Sequence, residues 1–254
     1  VDTDSVLSLM QDVAEEVINP RFRALQDHQI TEKNPGDLVT VADHESEVLI
    51  TAALTAAYPD AVVLGEEAHA KDPALLDRFN AATHAFTVDP VDGTKNFVHG
   101  SPDHAVMIGE VRDGEVVRGW IWQPQHDAAY VAERGAGAFL NGRRLTMAAL
   151  AEPGPPYRTA RRAWVGRELP GLGTLELTWA CCGVDYPHLI AGDARALVYN
   201  HSKPWDHVPG SLLVQESGGW IGGNDGQPFA AQRLGGGLVS APDQATYDAV
   251  VAAL

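Results

Sequence analysis

The chain has 254 residues and 45% hydrophobic content, enough for one large domain or two small ones fused on a common core. Its 34 acidic residues outnumber 18 basic ones, and the formal net charge of −16 makes a surface that repels nucleic acid and anionic lipid, so neither is an expected partner. No apolar stretch reaches the about 18 residues of a membrane span.

The two cysteines, Cys181 and Cys182, are adjacent. Neighbouring cysteines rarely meet disulfide geometry, so both are read as reduced thiols. With no signal-peptide pattern in view, the expected location is cytoplasmic.

Ser5 to Val17 carries apolar residues at helical spacing, capped by Asp4 or Ser5 and followed by Pro20. His44 to Tyr58 reads as a second amphipathic helix, halted before Pro59. Ala61 to Leu64 is a short strand running into Gly65-Glu66-Glu67, and Ala85 to Val88 is another, ending at Asp89. His104 to Val111 and Val116 to Trp122 form an antiparallel pair across the turn Asp113-Gly114. Ala128 to Ala132 and Ala138 to Leu140 continue the strand pattern. To about residue 148 the chain reads as two helices against an antiparallel sheet.

Composition then shifts. The Pro- and Gly-rich Glu152 to Pro156 marks a seam, dividing the chain into 1–150 and 151–254. Beyond it, Thr174 to Gly183 holds a strand and the start of a helix, and Leu197 to Tyr199 is a strand. Asp206 to Ser217 is a helix ended by Gly218-Gly219. Leu238 to Ser240 is a last strand and Asp243 to Ala253 a last helix. This alternation predicts α/β layering in the second half.

The most informative segment runs from Val88 to Phe97. An apolar run delivers Asp89 to a strand end, Asp92 follows across Pro90-Val91, and Gly93-Thr94 offer backbone N–H groups where a short helix begins. Carboxylates beside exposed N–H groups suit hard cations and the phosphate oxygens that such cations bind. The repulsion between two acids held by a proline is relieved by a divalent cation. Asp43, Glu66 and Asp206 share the context, each at a strand end or a helix start. Asp43 and Asp206 have a plainer reading as helix N-caps, and Glu66-Glu67 as a solvated loop.

The string Asp89-Pro90-Val91-Asp92-Gly93-Thr94-Lys95-Asn96-Phe97 resembles the signature of the inositol monophosphatase family. So does Trp205-Asp206-His207-Val208-Pro209-Gly210, continuing to Glu216-Ser217-Gly218-Gly219. Asp37 to Asp43 and Gly65-Glu66-Glu67 match in the expected order. The resemblance implies an α+β fold, a layered αβαβα sandwich, and a magnesium-dependent, lithium-sensitive phosphatase acting on a small phosphorylated metabolite. It implies that residues 1–150 carry most metal ligands and that 151–254 complete the site. Glu66, Asp89 and the Val91 carbonyl would hold a first Mg²⁺; Asp89, Asp92 and Asp206 a second; Glu66 would help place a third. Thr94 and Asp43 would orient the attacking water, and the N–H groups of Gly93 and Thr94 would hold phosphate oxygens. Lys33 would tune the third cation from a mobile loop.

The chain departs from the family pattern in three places. Pro209 stands where alanine is usual, and a first-turn proline is tolerated because it gives up only an unpaired N–H. Tyr199 stands seven residues before Asp206, where inositol-specific members carry an acid that contacts the ring, and it cannot accept hydrogen bonds as a carboxylate does. This leaves histidinol phosphate and 3′-phosphonucleotides open beside inositol and other sugar phosphates. The segment from Pro153 to Gly173 is short where the family carries a long helix and often its dimer contact, so a homodimer stays an open expectation. Asp185, Tyr186 and His188 lie where the family places substrate contacts, with a structural role as the alternative. Lys203 reaches a substrate anion or is a solvated loop lysine. A regulatory member of the fold, acting through protein contacts, is the reading from another functional class.

Overall fold

The computed structural model describes residues 2–150, 154–232 and 235–254. Helix α1 (Thr3–Val13) is capped by Asp2, whose carboxylate accepts from the Ser5 amide at 2.9 Å. The chain stays helical beyond it, through a π turn (Ala14–Ile18) and a 3₁₀ turn (Asn19–Arg21) that contains Pro20. A hairpin that sequence reading did not assign follows, β1 (Ile30–Asn34) and β2 (Asp37–Thr40). Its turn holds Gly36 at φ +81°, a conformation that favours glycine. Next come α2 (Val41–Ala57), β3 (Val62–Gly65), α3 (Glu66–Lys71), α4 (Leu75–Ala81), β4 (His84–Asp92) and α5 (Thr94–Val98).

A meander completes the first sheet: β5 (Ala105–Arg112), β6 (Glu115–Gln123), β7 (Ala128–Glu133), β8 (Gly137–Leu140) and β9 (Arg143–Arg144). The β5–β6 turn is Asp113-Gly114, both at positive φ as a tight hairpin requires. The seven strands lie in the order β3 to β9. The sheet is not wholly antiparallel, because α3 and α4 form a crossover that makes β3 and β4 parallel.

The second half contributes β10 (Tyr157–Thr159), β11 (Glu168–Leu169), β12 (Gly173–Leu177), α6 (Cys182–Ala191), β13 (Ala196–Tyr199), α7 (Pro204–Glu216), β14 (Trp220–Gly223), β15 (Leu238–Ala241) and α8 (Gln244–Ala253). Its six strands run β11-β12-β10-β13-β15-β14. Of the expected seam, Glu152 and Pro153 lie outside the described residues. In the short segment that follows, one 3₁₀ turn (Arg162–Trp164) stands between β10 and β11.

Five layers follow from which side chains share a core. Val6, Met10 and Val13 of α1 and Ile50 and Leu54 of α2 pack with Phe86, Val88, Val106, Ile108, Trp120 and Trp122. The opposite face of the same strands, through Ala85, Met107 and Ile121, meets Tyr186 and Leu189 of α6 and Val208 and Leu212 of α7. Leu197 and Ile221 of the second sheet join that middle core. Val198 and Val239 face outward onto Tyr247 and Val250 of α8. The architecture is therefore an αβαβα sandwich of mixed sheets. It explains why β5 reads Ala-Val-Met-Ile without polar alternation, since both faces of the strand are covered.

Helix α7 is buried nearly all round between the two sheets. Pro204, at its first position, is the tolerated N-terminal proline. Pro209 is not in the first turn, contrary to expectation. It is the sixth residue of α7, where its missing N–H would have met the Trp205 carbonyl. Gly119 of β6 lies against it, and a Cβ there would come within 2.7 Å of the Pro209 carbonyl oxygen.

Candidate active site

Asp89, Asp92 and Asp206 each present a carboxylate oxygen within 4.8 Å of the other two. Asp89 and Asp92 are held by β4, whose register against β5 shifts between them. The kink turns both acids off the strand line toward one point, and Asp89 fixes it by accepting from the Val91 amide at 3.1 Å. Asp206 arrives from the first turn of α7 as its third residue. The helix shows no side-chain cap, so the plain N-cap reading of Asp206 does not hold. Asp92 accepts from the Gly183 amide and from the Cys181 thiol, the latter at 3.0 Å. Its side chain is thus anchored to the second half of the chain.

Gly93 follows at φ +79°. A Cβ there would meet Cys181 Cβ at 3.0 Å and the Asp103 carbonyl at 3.1 Å, so the position admits glycine alone without displacement. Thr94 opens α5. Its hydroxyl lies 2.9 Å from Asp43 Oδ1 and 3.0 Å from the Val91 carbonyl, and its one proton can go to either. Asp43 does not precede α2 but is the helix's third residue. Thr40 is the cap, and the pair forms a capping box in which Asp43 Oδ2 accepts from the Thr40 amide (2.8 Å) and hydroxyl (2.6 Å). One oxygen of Asp43 secures its own helix and the other faces Thr94.

Glu66 is the first residue of α3, not a loop residue. Its carboxylate pairs with Lys33 of the hairpin at 2.6 Å, and Lys33 also meets Glu67 at 2.9 Å. Burial works against the Lys33 ammonium, but the two glutamates more than offset it and hold it protonated. Glu67 itself is 2% exposed.

The acids oppose one another. Burial, then Glu66, Asp92 and Asp206, push Asp89 well above the usual carboxylate range. Burial, then Asp92 and Glu66, do the same to Asp206. Burial lifts Glu66 to about 7 against the pull of Lys33, and Asp43 to about 6 against its hydrogen bonds from Thr40 and Thr94. Among the described residues, no ion pair within 4.0 Å involves Asp89, Asp92 or Asp206. An all-oxygen set with mutual repulsion, eased only at longer range by the Lys203 charge on Asp206, fits a hard divalent cation such as magnesium, and not a soft one. Beside the acids lies a cleft of about 870 Å³, lined by Lys33, Glu66, His69, Lys203, Trp205 and Asp206 among others.

The profile of the inositol monophosphatase family matches residues 2–254. The chain belongs to the inositol monophosphatase family. It is 33% identical to an inositol-1-monophosphatase of Mesorhizobium japonicum over 216 residues, 81% of this chain and 79% of that protein. It is 32% identical to the Nus factor SuhB of Pseudomonas aeruginosa over 221 residues, 82% and 80% of the two chains. The solved IMPase of Thermotoga maritima superposes with a TM-score of 0.80 at 23% identity, covering 98% of this chain and 95% of that one, a likeness of fold. Membership of the inositol monophosphatase family supports metal-dependent phosphomonoesterase activity on a small phosphorylated substrate, and the buried acid cluster can coordinate a divalent metal.

Within this inositol monophosphatase fold, only some of the other residues singled out from sequence line the cleft. Tyr199 is 3% exposed and its hydroxyl donates to Asp185 Oδ2 at 3.1 Å. Asp185 is 1% exposed and also accepts from the Trp179 amide at 2.9 Å. Both sit in the interior behind the site, and neither lines the cleft. Burial pushes Asp185 up to about 8, with the charge of Asp92 adding to it. Tyr186 is buried against His207 at 2.8 Å, and His188 stacks on Trp179 with ring centroids 4.0 Å apart. Lys203 does line the cleft, its ammonium 5.7 Å from the Trp205 ring.

Two residues with structural contacts at the site carry no sequence signal. Cys181 touches Asp92, and Asn96 donates to the Asp103 carbonyl (2.8 Å) and, joining α5 to the second half, to the Trp179 carbonyl (3.0 Å). A small residue and an amide carry no pattern that announces a long-range contact.

Proposed function

We propose that the chain is a magnesium-dependent phosphatase that hydrolyses a small phosphate monoester, inositol monophosphate or another sugar or polyol phosphate. The observation that carries this reading is the meeting of Asp89, Asp92 and Asp206 within 4.8 Å, next to the Thr94–Asp43 hydrogen bond. In this reading Glu66, Asp89 and the Val91 carbonyl hold one Mg²⁺, Asp89, Asp92 and Asp206 hold a second, and Glu66 helps with a third. When bound, the ions supply positive charge against the phosphate and the leaving oxygen and make water more acidic.

The chain's own groups do the rest. Thr94 orients the attacking water and relays its proton, taking one from the water as it gives its own hydroxyl proton to Asp43, which burial keeps near the pKa a proton acceptor needs at neutral pH. The N–H groups of Gly93 and Thr94 donate to phosphate oxygens. Lys203, a flexible cation on the cleft wall, meets an anionic part of the substrate. No side-chain nucleophile is required. The division at about residue 150 then has a functional sense: the first part supplies every proposed ligand except Asp206, and the second closes the site with α6 and α7.

The test is release of inorganic phosphate from inositol phosphate, histidinol phosphate, fructose bisphosphate and adenosine bisphosphate, with and without Mg²⁺. Magnesium-dependent release from at least one supports the reading, and the ranking identifies the substrate. No release from any monoester overturns it. The complete acid set favours an enzyme over a purely regulatory, protein-binding role.

A further inference from the structure

Helix α3, which presents Glu66, begins with a defect. Its N-cap is Gly65, which has no side chain to accept from the helix's first amides. The missing cap comes from another helix. Glu47 of α2 accepts from the Glu67 amide through one oxygen and from the Ala68 amide through the other, both at 2.7 Å. Glu47 is 6% exposed, so these bonds are made away from water and are expensive to leave unmade.

Gly65 is the other half of the contact. A Cβ built there would lie 2.3 to 2.7 Å from three atoms of the Glu47 carboxyl group. Glycine at 65 is what lets the carboxylate reach the amides. Its φ of −94° is open to any residue, so the requirement comes from the neighbour and not from the backbone.

Glu47 stands one helical turn after Asp43, about 6 Å along the same rod. Asp43 accepts from Thr94, and Glu47 grips α3. One rigid helix therefore sets the spacing between the proposed proton acceptor and the carboxylate of Glu66.

We propose that Glu47 is a positioning residue: by capping α3 in place of Gly65, it fixes where Glu66 presents its carboxylate to the cation. This rests on the reading above that Glu66 is a cation ligand. Glu47 touches neither substrate nor cation. Its effect is expected on cation affinity more than on the chemical step, since partners that orient a ligand are commonly worth 10- to 100-fold in affinity (roughly).

The test is calorimetric titration with Mg²⁺, alongside kcat at saturating Mg²⁺, for Glu47→Gln, Gly65→Ala and the double variant Glu47→Gln/Gly65→Ala. Glu45→Gln, an exposed position on the same helix, serves as the control. Glu47→Gln is expected to weaken Mg²⁺ binding about tenfold with kcat changed by less than about threefold. Gly65→Ala is expected to do the same from the other side, because its methyl displaces the carboxylate. The double variant is expected to be no worse than the weaker single variant, as two ways of breaking one contact are not additive. Unchanged affinity in both single variants, or losses that add in the double variant, overturns the inference. If Glu47→Gln does not fold, Gly65→Ala decides alone. A wild-type protein that binds no Mg²⁺ overturns the phosphatase reading first, and is told apart by failing before any substitution is made.

Discussion

Thr94 and Asp43 stand 51 residues apart in sequence and 2.9 Å apart in the fold. Asp43 spends its second oxygen on the capping box of α2, so it cannot turn away from Thr94 without uncapping its own helix. Orientation of the pair is thus built into helix termination, and Asp43 Oδ1 stays within reach of the Thr94 proton, with the Val91 carbonyl as the alternative acceptor.

Thr94→Val keeps the shape and removes that proton. It should lower kcat by about 10²- to 10⁴-fold, the range for loss of a positioned proton-transfer group. Mg²⁺ binding should persist, since no carboxylate is altered. Steady-state kinetics at saturating Mg²⁺ check this, and a change confined to KM would contradict it.

The metal-free protein should lose stability as pH rises. Asp43 (about 6), Glu47 and Glu66 (about 7) and Asp185 (about 8) keep their protons in the native state above the pH at which an unfolded chain releases them, near pH 4 (roughly). Burial is the leading cause at each. Buried His104 (about 4) and His207 (about 3) act the other way in the lower part of this range, but the raised acids outnumber them, so between about pH 5 and about pH 8 the native state binds more protons than the unfolded one, and stability declines with rising pH. Thermal melts in a chelator should show Tm falling across that window. Added Mg²⁺ should reverse much of the fall, because it replaces protons at Glu66 and its neighbours. A Tm that rises with pH in the chelator would contradict the sign.

Tyr199→Phe separates an interior role from a substrate contact. Losing the hydroxyl leaves the buried Asp185 one donor short and should cost about 1–3 kcal/mol. KM for every substrate should stay within about twofold, because the ring lies behind the site. Denaturant unfolding and a substrate panel check the two halves. A selective rise in KM with unchanged stability would restore Tyr199 to the substrate surface.

Gly93→Ala should destabilise the protein by roughly 1–3 kcal/mol. The new methyl must adopt a left-handed backbone and displace Cys181, the thiol that bonds Asp92. Activity should fall with stability, since the same shift moves a proposed cation ligand. Chemical denaturation with parallel assays tests the pair of effects.

Much of this architecture is legible in the chain. The Asp113-Gly114 turn and the apolar runs on either side locate β5 and β6, because positive φ and full burial leave strong local marks. The acids of the site are legible for a related reason: glycine and proline beside them fix the backbone. What escaped has weak local signal. The β1–β2 hairpin is polar and largely exposed, so no alternation betrays it. Helices α3 and α4 are six and seven residues long, too short for a periodic stripe. The helix start is placed too late from sequence because Thr40, and not Asp43, is the cap. The places of Tyr199 and Asp185 depend on how α6 packs against β13, which spacing along the chain does not encode.

The central claim is that carboxylates from β4 and α7 form one cation site. Calorimetric titration of Mg²⁺ into the wild-type protein and into Asp89→Asn tests it most directly, since Asp89 is common to the first two proposed ions. The account predicts saturable binding by the wild type and a loss of at least about tenfold in Asp89→Asn, with the fold retained by circular dichroism. Equal binding by the two proteins, or none by the wild type, would contradict it.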